Sequence, residues 1–565
     1  MKKKTYVSLS CVLICGLALG QQPGTPAATT DREDFPVSIQ IDATKTKGDL
    51  TPIWRFFGYD EANYTYMKDG KKLLSELGQL GGPQVFIRCH HLLTSGDGAP
   101  ALKWSSTNAY TEDAQGKPVY DWTITDRIFD TYLARGLKPY AQIGFMPEAL
   151  SIHSQDYPHD PAPNERVKGA GFSYPPKNYA KWGELAYQWT RHCVEKYGPA
   201  EVEKWYWEVW NEPNISYWRG SHEDYFKLYD YAVDGVRRAL PTARVGGPEV
   251  AGGAGGKFLH EFLDHCAHGK NYVTGQTGSP LDFISFHAKG APKFISEHVE
   301  MGMDHQLADI DNAFAVIASF PEYKKTPVVI GECDPEGCAA CKGPQNGYRN
   351  GTMYSSYTAA SFPRALDLAD KHGVNLQGAL TWAFEFENQP YFAGFRVLAS
   401  NGLDLPVLNV FRMYAKMSGQ RLDVESSAGL DADTIRTKGV RGNPDVSALA
   451  SLDKNKLCVM TWNYHDDDVP GPAAKISLNL SGLPSLSHAK VTEYRIDQDH
   501  SNSYAAWQKM GSPQSPSPDQ YSELAKAGQL AQIENPATLV LNGGTANLSF
   551  TLPGEAVSLI VLEWQ

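Results

Sequence analysis

Two glutamates stand at positions where carboxyl groups could do acid–base or nucleophilic chemistry. Glu212 lies in WEVWNEPN (207–214), and Glu332 ends VVIGE (328–332). Each run begins with the apolar residues of a buried strand, so both carboxyls are expected at strand ends. A facing pair of carboxyls suits glycoside hydrolysis, in which one protonates the leaving oxygen and the other attacks the anomeric carbon or activates water. A lone strand-ending glutamate is commonplace, but WNEPN is far more specific.

The period-two geometry of a strand predicts which side chains share a face. Val328, Ile330 and Glu332 share one face, so Glu332 continues a row that faces the core. Glu208 and Glu212 share a face of the other strand. We therefore expect Glu208 to be an inward, hydrogen-bonded structural carboxylate that lies below Glu212.

The segments around both glutamates alternate between short apolar strands and helical stretches such as 125–135 and 179–197. Strands are expected to end near Gly58, His90, Phe145, Trp210, Pro248, His287, Glu332 and Phe384. Eight such alternations predict a (β/α)8 TIM barrel, whose active sites lie at the mouth formed by the strands' carboxyl ends. Glu212 would end the fourth strand and Glu332 the seventh.

The pattern changes after the helical stretch 406–419. Strands separated by polar turns then recur with few helices, which predicts a C-terminal β-sandwich over residues 421–565. The barrel is assigned to residues 36–420. Residues 36–42 alternate at period two and are a candidate strand of the accessory sheet.

The first 20 residues have the pattern of a targeting segment. Three lysines precede an apolar run from Tyr6 to Leu19 that closes on small residues, which predicts a signal peptide over 1–20 and a periplasmic or extracellular protein. Residues 21–35, rich in Pro, Thr and Ala, are predicted to be a linker. No later run reaches the length of a membrane span, so none is expected.

Charge and cysteine usage exclude several classes of protein. The net charge of −12 over 565 residues argues against nucleic acid and anionic membranes as partners. Cys333, Cys338 and Cys341 have the spacing of plant-type iron–sulfur ligands, but the fourth thiol is distant, and an oxidising compartment favours a local disulfide. No metal-binding motif such as HExxH occurs, so we expect neither a metal nor a cofactor. The oligomeric state is left open.

Several motifs resemble glycoside hydrolase family 39, which holds β-xylosidases and α-L-iduronidase. WEVWNEPN with VVIGE looks like the retaining-glycosidase clan, whose acid/base and nucleophile end strands four and seven. Residues 126–150 resemble the xylosidase branch. The iduronidase branch is resembled by WRFFGYD (54–60), VFIRCHHLL (85–93), FISFHAKG (283–290) and GECDP (331–335). The resemblance spans roughly residues 50–420 and implies a barrel with a β-sandwich.

The resemblance implies roles for individual residues. Glu212 would be the acid/base, Glu332 the nucleophile, and Asn211 the contact for the 2-hydroxyl of the sugar. Arg88 shares a strand face with His90 and should reach the mouth. There it would keep Glu332 ionised, or serve as a structural ion pair.

Four further side chains are candidates for substrate binding, each with a plainer alternative. His90 and His287 would contact sugar hydroxyls, although a single barrel histidine is more often a core residue. Trp382 would be a platform for a sugar ring, or core packing. Lys289 follows His287 on one face and would pair with a uronic acid, or instead with a loop acid or solvent. Glu387 lies in a loop shorter than that of the xylosidase branch, so its contact with substrate is not carried over.

The leading hypothesis is a retaining, exo-acting glycosidase of β-xylosidase type that acts on plant-type oligosaccharides. An α-L-iduronidase-like uronidase is the alternative. A barrel that binds carbohydrate without cleaving it would lack one of the two glutamates, and both are present. A redox or metal protein built on the clustered cysteines is the remaining rival.

Overall fold

The computed structural model describes residues 33–564, except 83, 160–161, 163–169, 486 and 534–536. The predicted signal peptide (1–20) lies outside the described residues, as does the predicted linker up to residue 32. The described chain forms a closed barrel of parallel strands and a large sheet.

The strands are numbered in chain order. They are β1 (Phe35–Asp49), β2 (Phe56–Tyr59), β3 (Phe86–Cys89), β4 (Tyr110–Glu112), β5 (Pro118–Tyr120), β6 (Lys138–Ile143), β7 (Tyr206–Val209), β8 (Arg244–Val250), β9 (Phe283–Lys289), β10 (Lys293–Ile295), β11 (His298–Glu300), β12 (Val328–Asp334), β13 (Leu376–Trp382), β14 (Ala399–Ser400), β15 (Leu403–Asp404), β16 (Gln420–Ser426), β17 (Asp445–Asp453), β18 (Lys456–Tyr464), β19 (Ala474–Ser481), β20 (His488–Ile496), β21 (Ala531–Gln532), β22 (Ala537–Val540), β23 (Ala546–Leu552) and β24 (Val557–Glu563).

The helices follow the same order. They are α1 (Lys68–Gly78), α2 (Thr123–Leu133), α3 (Tyr179–Tyr197), α4 (Pro199–Val202), α5 (His222–Ala239), α6 (Phe258–His268), α7 (Met303–Ala318), α8 (Thr352–His372), α9 (Pro406–Tyr414), α10 (Ala432–Lys438), α11 (Ser503–Lys509) and α12 (Pro518–Ala527). Short 3-10 helices lie at Ala62–Tyr66, Ser154–Asp156, Gly171–Ser173, Pro321–Tyr323 and Pro344–Asn350.

The barrel confirms the predicted fold class. Its eight strands are β2, β3, β6, β7, β8, β9, β12 and β13, in that spatial order, and β13 pairs with β2 to close it. At least one helix of α1 to α9 follows each strand. All eight strands end within two residues of the predicted positions. The strands are buried on both faces, so each sequence is a short apolar run that can be read directly.

The second unit is one continuous ten-stranded sheet. Strand β1 lies inside it, parallel to β19 and antiparallel to β16, so the chain enters the sheet before it builds the barrel. Apolar side chains from two parts of the sheet share one core. Ile39 and Leu478 come from β1 and β19, and Val459 and Ile560 come from β18 and β24. The sheet thus folds over itself as a β-sandwich does.

Strand β18 shows how the two units are joined. Leu457 and Val459 face the core of the sheet, whereas Met460 and Trp462 face the core shared with the barrel. The indole nitrogen of Trp462 donates to Asp445 at 2.8 Å, and Arg364 of α8 bonds the same carboxylate at 3.1 Å. A central strand that is apolar on both faces therefore holds the barrel against the sheet.

No helix within the described ranges is long and apolar enough to cross a membrane.

Candidate active site

Glu212 and Glu332 both line one pocket at the carboxyl-terminal mouth of the barrel. The pocket is a small cavity of about 80 Å³. Its lining residues are Asp60, His90, Trp104, Asn211, Glu212, Tyr217, Glu332, Gly337, Cys338, Ala339, Ala340 and Trp382. The strand-end prediction thus brings both carboxyls to one cavity.

Cations and imidazoles surround the Glu332 carboxylate. Lys289 Nζ donates to Oε2 at 2.6 Å, and Arg88 Nη1 donates to Oε1 at 3.1 Å. The Nε2 atoms of His90 and His287 lie 3.6 and 3.7 Å from Oε1. Burial by itself raises the pKa of Glu332, but His287, Lys289, His90 and Arg88 together outweigh burial and hold that pKa well below its usual range. Glu332 is therefore ionised, as a nucleophile must be.

Strand register explains why Lys289 is engaged. In the parallel pair of β9 and β12, His287 is opposite Glu332 and Lys289 is opposite Asp334. Lys289 Nζ also donates to Asp334 Oδ2 at 2.6 Å, and its side chain is 14% exposed. Asp334 is fully buried and accepts a further bond from the Trp382 backbone amide. Lys289 thus pairs with two acids of strand β12 rather than with the loop acid or solvent of its plainer expected role, and it is not among the residues that line the pocket.

Arg88 links Glu332 to Glu208 on strand β7 and to Asn211, which follows that strand. The guanidinium is fully buried, donating to Glu208 at 2.7 Å and to Asn211 Oδ1 at 2.9 Å, in addition to Glu332. Because Arg88 occupies the amide oxygen of Asn211, the amide NH2 group is the one left for a ligand. Glu208 is inward and hydrogen-bonded, as the strand period predicts.

His287 forms a chain with two carboxyls rather than a contact for sugar. Its Nδ1 lies 2.9 Å from Glu212 Oε1, and its Nε2 lies 3.0 Å from Glu249 Oε2. The imidazole is fully buried and does not line the pocket, which differs from the expected hydroxyl contact. Burial disfavours the imidazolium, but Glu332, Glu212 and Glu249 outweigh it and raise the pKa of His287 to about 9.

Glu249, at the end of β8, is a site residue that the sequence analysis missed. It is fully buried and receives a hydrogen bond from the Tyr140 hydroxyl at 3.1 Å. Burial opposes its charge, but Arg88, followed by Glu208 and His287, lowers its pKa. Burial raises the pKa of Glu208, and the charge of Glu249 adds to that rise. Glu208 and Glu249 therefore titrate as a pair beside Arg88.

Gly331 is needed because of Glu249. A Cβ atom at position 331 would lie 1.8 Å from Glu249 Oε2, so no other residue fits there without displacing the carboxylate. The backbone amide of Glu212 in turn donates to the carbonyl of Glu249 at 2.9 Å. Glu249 thus contacts the segments that carry both candidate catalytic glutamates.

Four non-glycine residues at this mouth have left-handed backbone conformations. His91, Trp210, Glu212 and Glu249 have φ values of 63°, 73°, 44° and 54°. Left-handed conformations cost non-glycine residues about 1–3 kcal/mol each and persist at functional sites, where surrounding structure enforces them. The backbone hydrogen bond from the Glu212 amide to the Glu249 carbonyl joins two of these strained residues.

Four residues that line the pocket beside the catalytic pair, Asp60, His90, Asn211 and Trp382, are called here the pocket wall. His90 is fixed by Gln142 Oε1, 2.8 Å from its Nδ1. Trp382 packs 4.2 Å from the His90 ring and donates from its indole nitrogen to Asp60 at 3.1 Å. Among acidic and basic side chains, the pocket lining of the described chain contains Asp60, Glu212, Glu332 and His90, with no lysine or arginine.

Glu387 serves a structural purpose. Its carboxylate accepts bonds from the backbone amides of Asp69 and Gly70 at 2.9 Å, at the start of α1. A carboxylate at this position satisfies amides that have no partner within the helix and interacts favourably with the helix dipole.

A disulfide between Cys338 and Cys341 closes the loop that follows β12 and borders the pocket. Cys333 is free and buried, so the local disulfide expected for this cysteine cluster joins its second and third members. Arg349 and Arg396 bind Glu336 just before the disulfide and fix the loop. Across the described part of the chain, no group of three or more His, Cys, Asp or Glu residues is placed to hold a metal ion.

The chain is similar to proteins of known family. The profile of glycosyl hydrolases family 39 matches residues 37–545. A β-xylosidase from Caldicellulosiruptor saccharolyticus is 27% identical over 535 residues, covering 93% of this chain and 98% of that protein. An α-L-iduronidase from Mus musculus is 26% identical over 546 residues, covering 88% and 76%.

A solved structure shares the fold. The crystal structure of the GH39 enzyme from Xanthomonas axonopodis pv. citri aligns with a TM-score of 0.72 at 22% identity, covering 94% of this chain and 98% of that one. The family match spans most of the chain and includes both strand-ending glutamates. The chain therefore belongs to glycosyl hydrolases family 39 and is a glycosidase, a hydrolase that acts on glycosyl compounds.

Proposed function

We propose that this glycosidase is a retaining, exo-acting enzyme of β-xylosidase type that removes a neutral terminal sugar from an oligosaccharide. The observation that carries the proposal is that Glu212 and an ionised Glu332, the acid and the nucleophile of a double displacement, line one small pocket at the barrel mouth. The retaining mechanism predicts a short distance between the two carboxyls. Retaining enzymes hold theirs about 5–5.5 Å apart, whereas inverting enzymes need about 6.5–9.5 Å to admit a water.

The proposed reaction has two displacements. In the first, Glu332 attacks the anomeric carbon, the bond to the leaving oxygen breaks, and Glu212 gives that oxygen its proton. In the second, Glu212 takes a proton from water, the water oxygen bonds to the anomeric carbon, and the ester to Glu332 breaks. Arg88 and Lys289 hold Glu332 ionised before attack. They also stabilise the carboxylate that Glu332 becomes again when the ester breaks.

His287 supplies the proton that Glu212 needs. With a pKa of about 9, the imidazole is protonated at neutral pH and lies 2.9 Å from the Glu212 carboxylate. When Glu212 has given its proton to the leaving oxygen, Nδ1 of His287 can replace that proton on Oε1, and the imidazole becomes neutral. Glu249 stabilises the charged imidazole from the other side.

Substrate class follows from the charge of the wall. The described lining offers Asp60, Glu212 and Glu332 but no cationic side chain. A uronic acid would place its carboxylate close to Asp60 and Glu332, and like charges repel. A neutral pentose avoids that cost, and the β-xylosidase relatives agree with it.

The test is a panel of aryl glycosides followed by NMR of the first-formed sugar. We expect xylosides to be cleaved faster than arabinosides, galactosides, glucosides and uronides, with the product retaining the anomeric configuration of the substrate. An inverted product would exclude double displacement, and preference for a uronide would exclude the neutral-sugar assignment.

A uronidase remains the second candidate because Lys289 lies in a motif of the iduronidase branch, and α-L-iduronidases are among the relatives. The ion pairs of Lys289 with Glu332 and Asp334 argue for a positioning role instead. Lys289→Met should therefore reduce kcat/KM on xylosides and uronides by the same factor. A loss of about tenfold or more on uronides alone would mean that Lys289 binds a substrate carboxylate.

A further inference from the structure

The carboxylate of Asp60 has no assigned role, yet it opens into the pocket. Asp60 directly follows β2, and its side chain is 13% exposed, close to the 14% of Glu212 and above the 8% of Glu332. It is thus the third accessible acid of the described lining. Carboxylates that stay accessible in a small pocket are placed to accept hydrogen bonds from a ligand.

One oxygen of Asp60 is held and the other is available. Oδ2 accepts from the indole nitrogen of Trp382 at 3.1 Å. Oδ1 lies 3.7 Å from His90 Nε2, beyond hydrogen-bond distance, and finds no donor among the described residues. An acceptor oxygen that opens into the pocket can receive a hydrogen bond from a bound ligand, and hydrogen bonds to charged groups contribute more than neutral ones.

Asp60 is separated from Glu332 by the width of one imidazole. His90 Nε2 is between the two acids, 3.7 Å from Asp60 and 3.6 Å from Glu332. A sugar with its anomeric carbon at Glu332 and its 2-hydroxyl at Asn211 has its 3- and 4-hydroxyls left to be bound. Asp60 is the acid left for them, because Glu387 caps α1 and Glu385 accepts from the Gly402 amide, and neither lines the pocket.

We propose that Asp60 is a specificity-determining residue that accepts a hydrogen bond from the 3- or 4-hydroxyl of the sugar bound against Glu332. The inference rests on the proposed function, because it presumes a neutral sugar in this pocket. Hydrogen bonds to charged groups are the ones that discriminate most strongly against a substrate lacking the hydroxyl.

The test combines a variant with altered substrates. Asp60→Asn keeps an acceptor for Trp382 but removes the charge, and kcat/KM on an aryl xyloside should fall about tenfold to a hundredfold. The same variant is then assayed on the 3-deoxy and 4-deoxy forms of that xyloside. On the analogue that lacks the bound hydroxyl, the penalty of Asp60→Asn should shrink to less than about threefold, because the interaction is already absent.

Glu387→Gln is the matched control, since it removes a carboxylate from the neighbouring loop but not from the pocket. It should reduce activity on the parent and on both analogues by one common, small factor. An equal penalty of Asp60→Asn on all three substrates would show that Asp60 only supports the fold, and would overturn the inference.

Wild-type protein provides a measurement that does not depend on the variant folding. If neither deoxy analogue loses more than about threefold relative to the parent xyloside, no strong acceptor binds these hydroxyls and the Asp60 assignment is wrong. If the wild-type protein cleaves no neutral glycoside at all, the proposed function itself fails. The two failures are therefore distinguishable.

Discussion

The two sides of Glu332 are built differently. Toward the barrel interior lies a charge network made of Arg88, Glu208, Glu249, His287 and Lys289, in which every member has a partner of opposite charge or a hydrogen bond. Toward solvent lies the pocket wall, where Asp60 keeps an oxygen without a donor and Asn211 keeps its amide nitrogen.

The difference separates two tasks. The charge network is buried, where electrostatic interactions are strong, so it sets the protonation of the catalytic pair before substrate arrives. The pocket wall contains polar atoms that are available to hydrogen-bond a ligand, so it determines which sugar binds. Changes in the network should alter rate and pH dependence, and changes in the wall should alter substrate preference.

The largest expected effect is on Glu332 itself. Glu332→Ala should lower kcat by about 10⁴-fold or more on every substrate, because no glycosyl ester can form. Steady-state assays on aryl xylosides with good and poor leaving groups measure it. Residual turnover within a hundredfold of wild type would show that another group attacks the sugar.

The loss of activity in Glu212→Ala should depend on the leaving group of the substrate. Poor leaving groups need protonation, so they should lose about 10²–10⁴-fold, while activated aryl groups should lose little in the first step. Added azide should speed the second step, which lacks its general base, and yield a β-glycosyl azide from a β-linked substrate. Azide rescue of the Glu332 variant instead would reverse the two roles.

Glu249→Gln tests the network through pH. In the wild-type protein, the alkaline limb of the kcat/KM–pH profile should lie near the His287 pKa of about 9. Once His287 has lost its proton, Glu212 has no proton to donate. Removing the anion 3.0 Å from Nε2 destabilises the imidazolium, so the limb should move to lower pH by about 1–2 units. The measurement is kcat/KM against pH on a substrate with a poor leaving group.

Tyr140→Phe is the matched control for Glu249→Gln. It deletes a hydrogen bond to Glu249 but leaves the charge in place, so its alkaline limb should stay near the wild-type position. If both variants shift the limb equally, or neither does, the charge of Glu249 does not govern the proton on His287.

The smallest effect is expected at the rim of the pocket. Replacing Cys338 and Cys341 by serine removes the disulfide that closes the loop beside the wall. The protein should lose about 2 kcal/mol of stability, and KM should rise severalfold with kcat nearly unchanged, because the charge network is untouched. A fall in kcat without a change in KM would place this loop in the chemistry rather than in binding.

The elements that carry the network were largely predictable from sequence. Each barrel strand is a short apolar run, and period two correctly placed Glu208 inward and Glu332 in the core-facing row. Helix α3 matches its predicted bounds, Tyr179–Tyr197, because its apolar spacing is regular and Gly198 ends it. Local patterns sufficed wherever one strand or helix decides the outcome.

Contacts between strands were not predictable in the same way. His287 was expected to bind sugar, but β9 lies between β8 and β12, so Glu249 and Glu332 flank it. Lys289 is likewise paired with Asp334 through strand register. Glu249 in GGPEV is also a strand-ending glutamate, and applying the strand-end rule to every barrel strand would have found it.

The central claim, that Glu332 forms a covalent bond to the sugar, is tested most directly by trapping. A 2-deoxy-2-fluoro aryl xyloside slows both steps, because fluorine destabilises the oxocarbenium-like transition state, and a good leaving group lets the ester accumulate. We predict that the intact protein gains the mass of one fluoroxylosyl group and that the labelled peptide carries it on Glu332. A label on Glu212, or an unlabelled enzyme that releases product of inverted configuration, would contradict the claim.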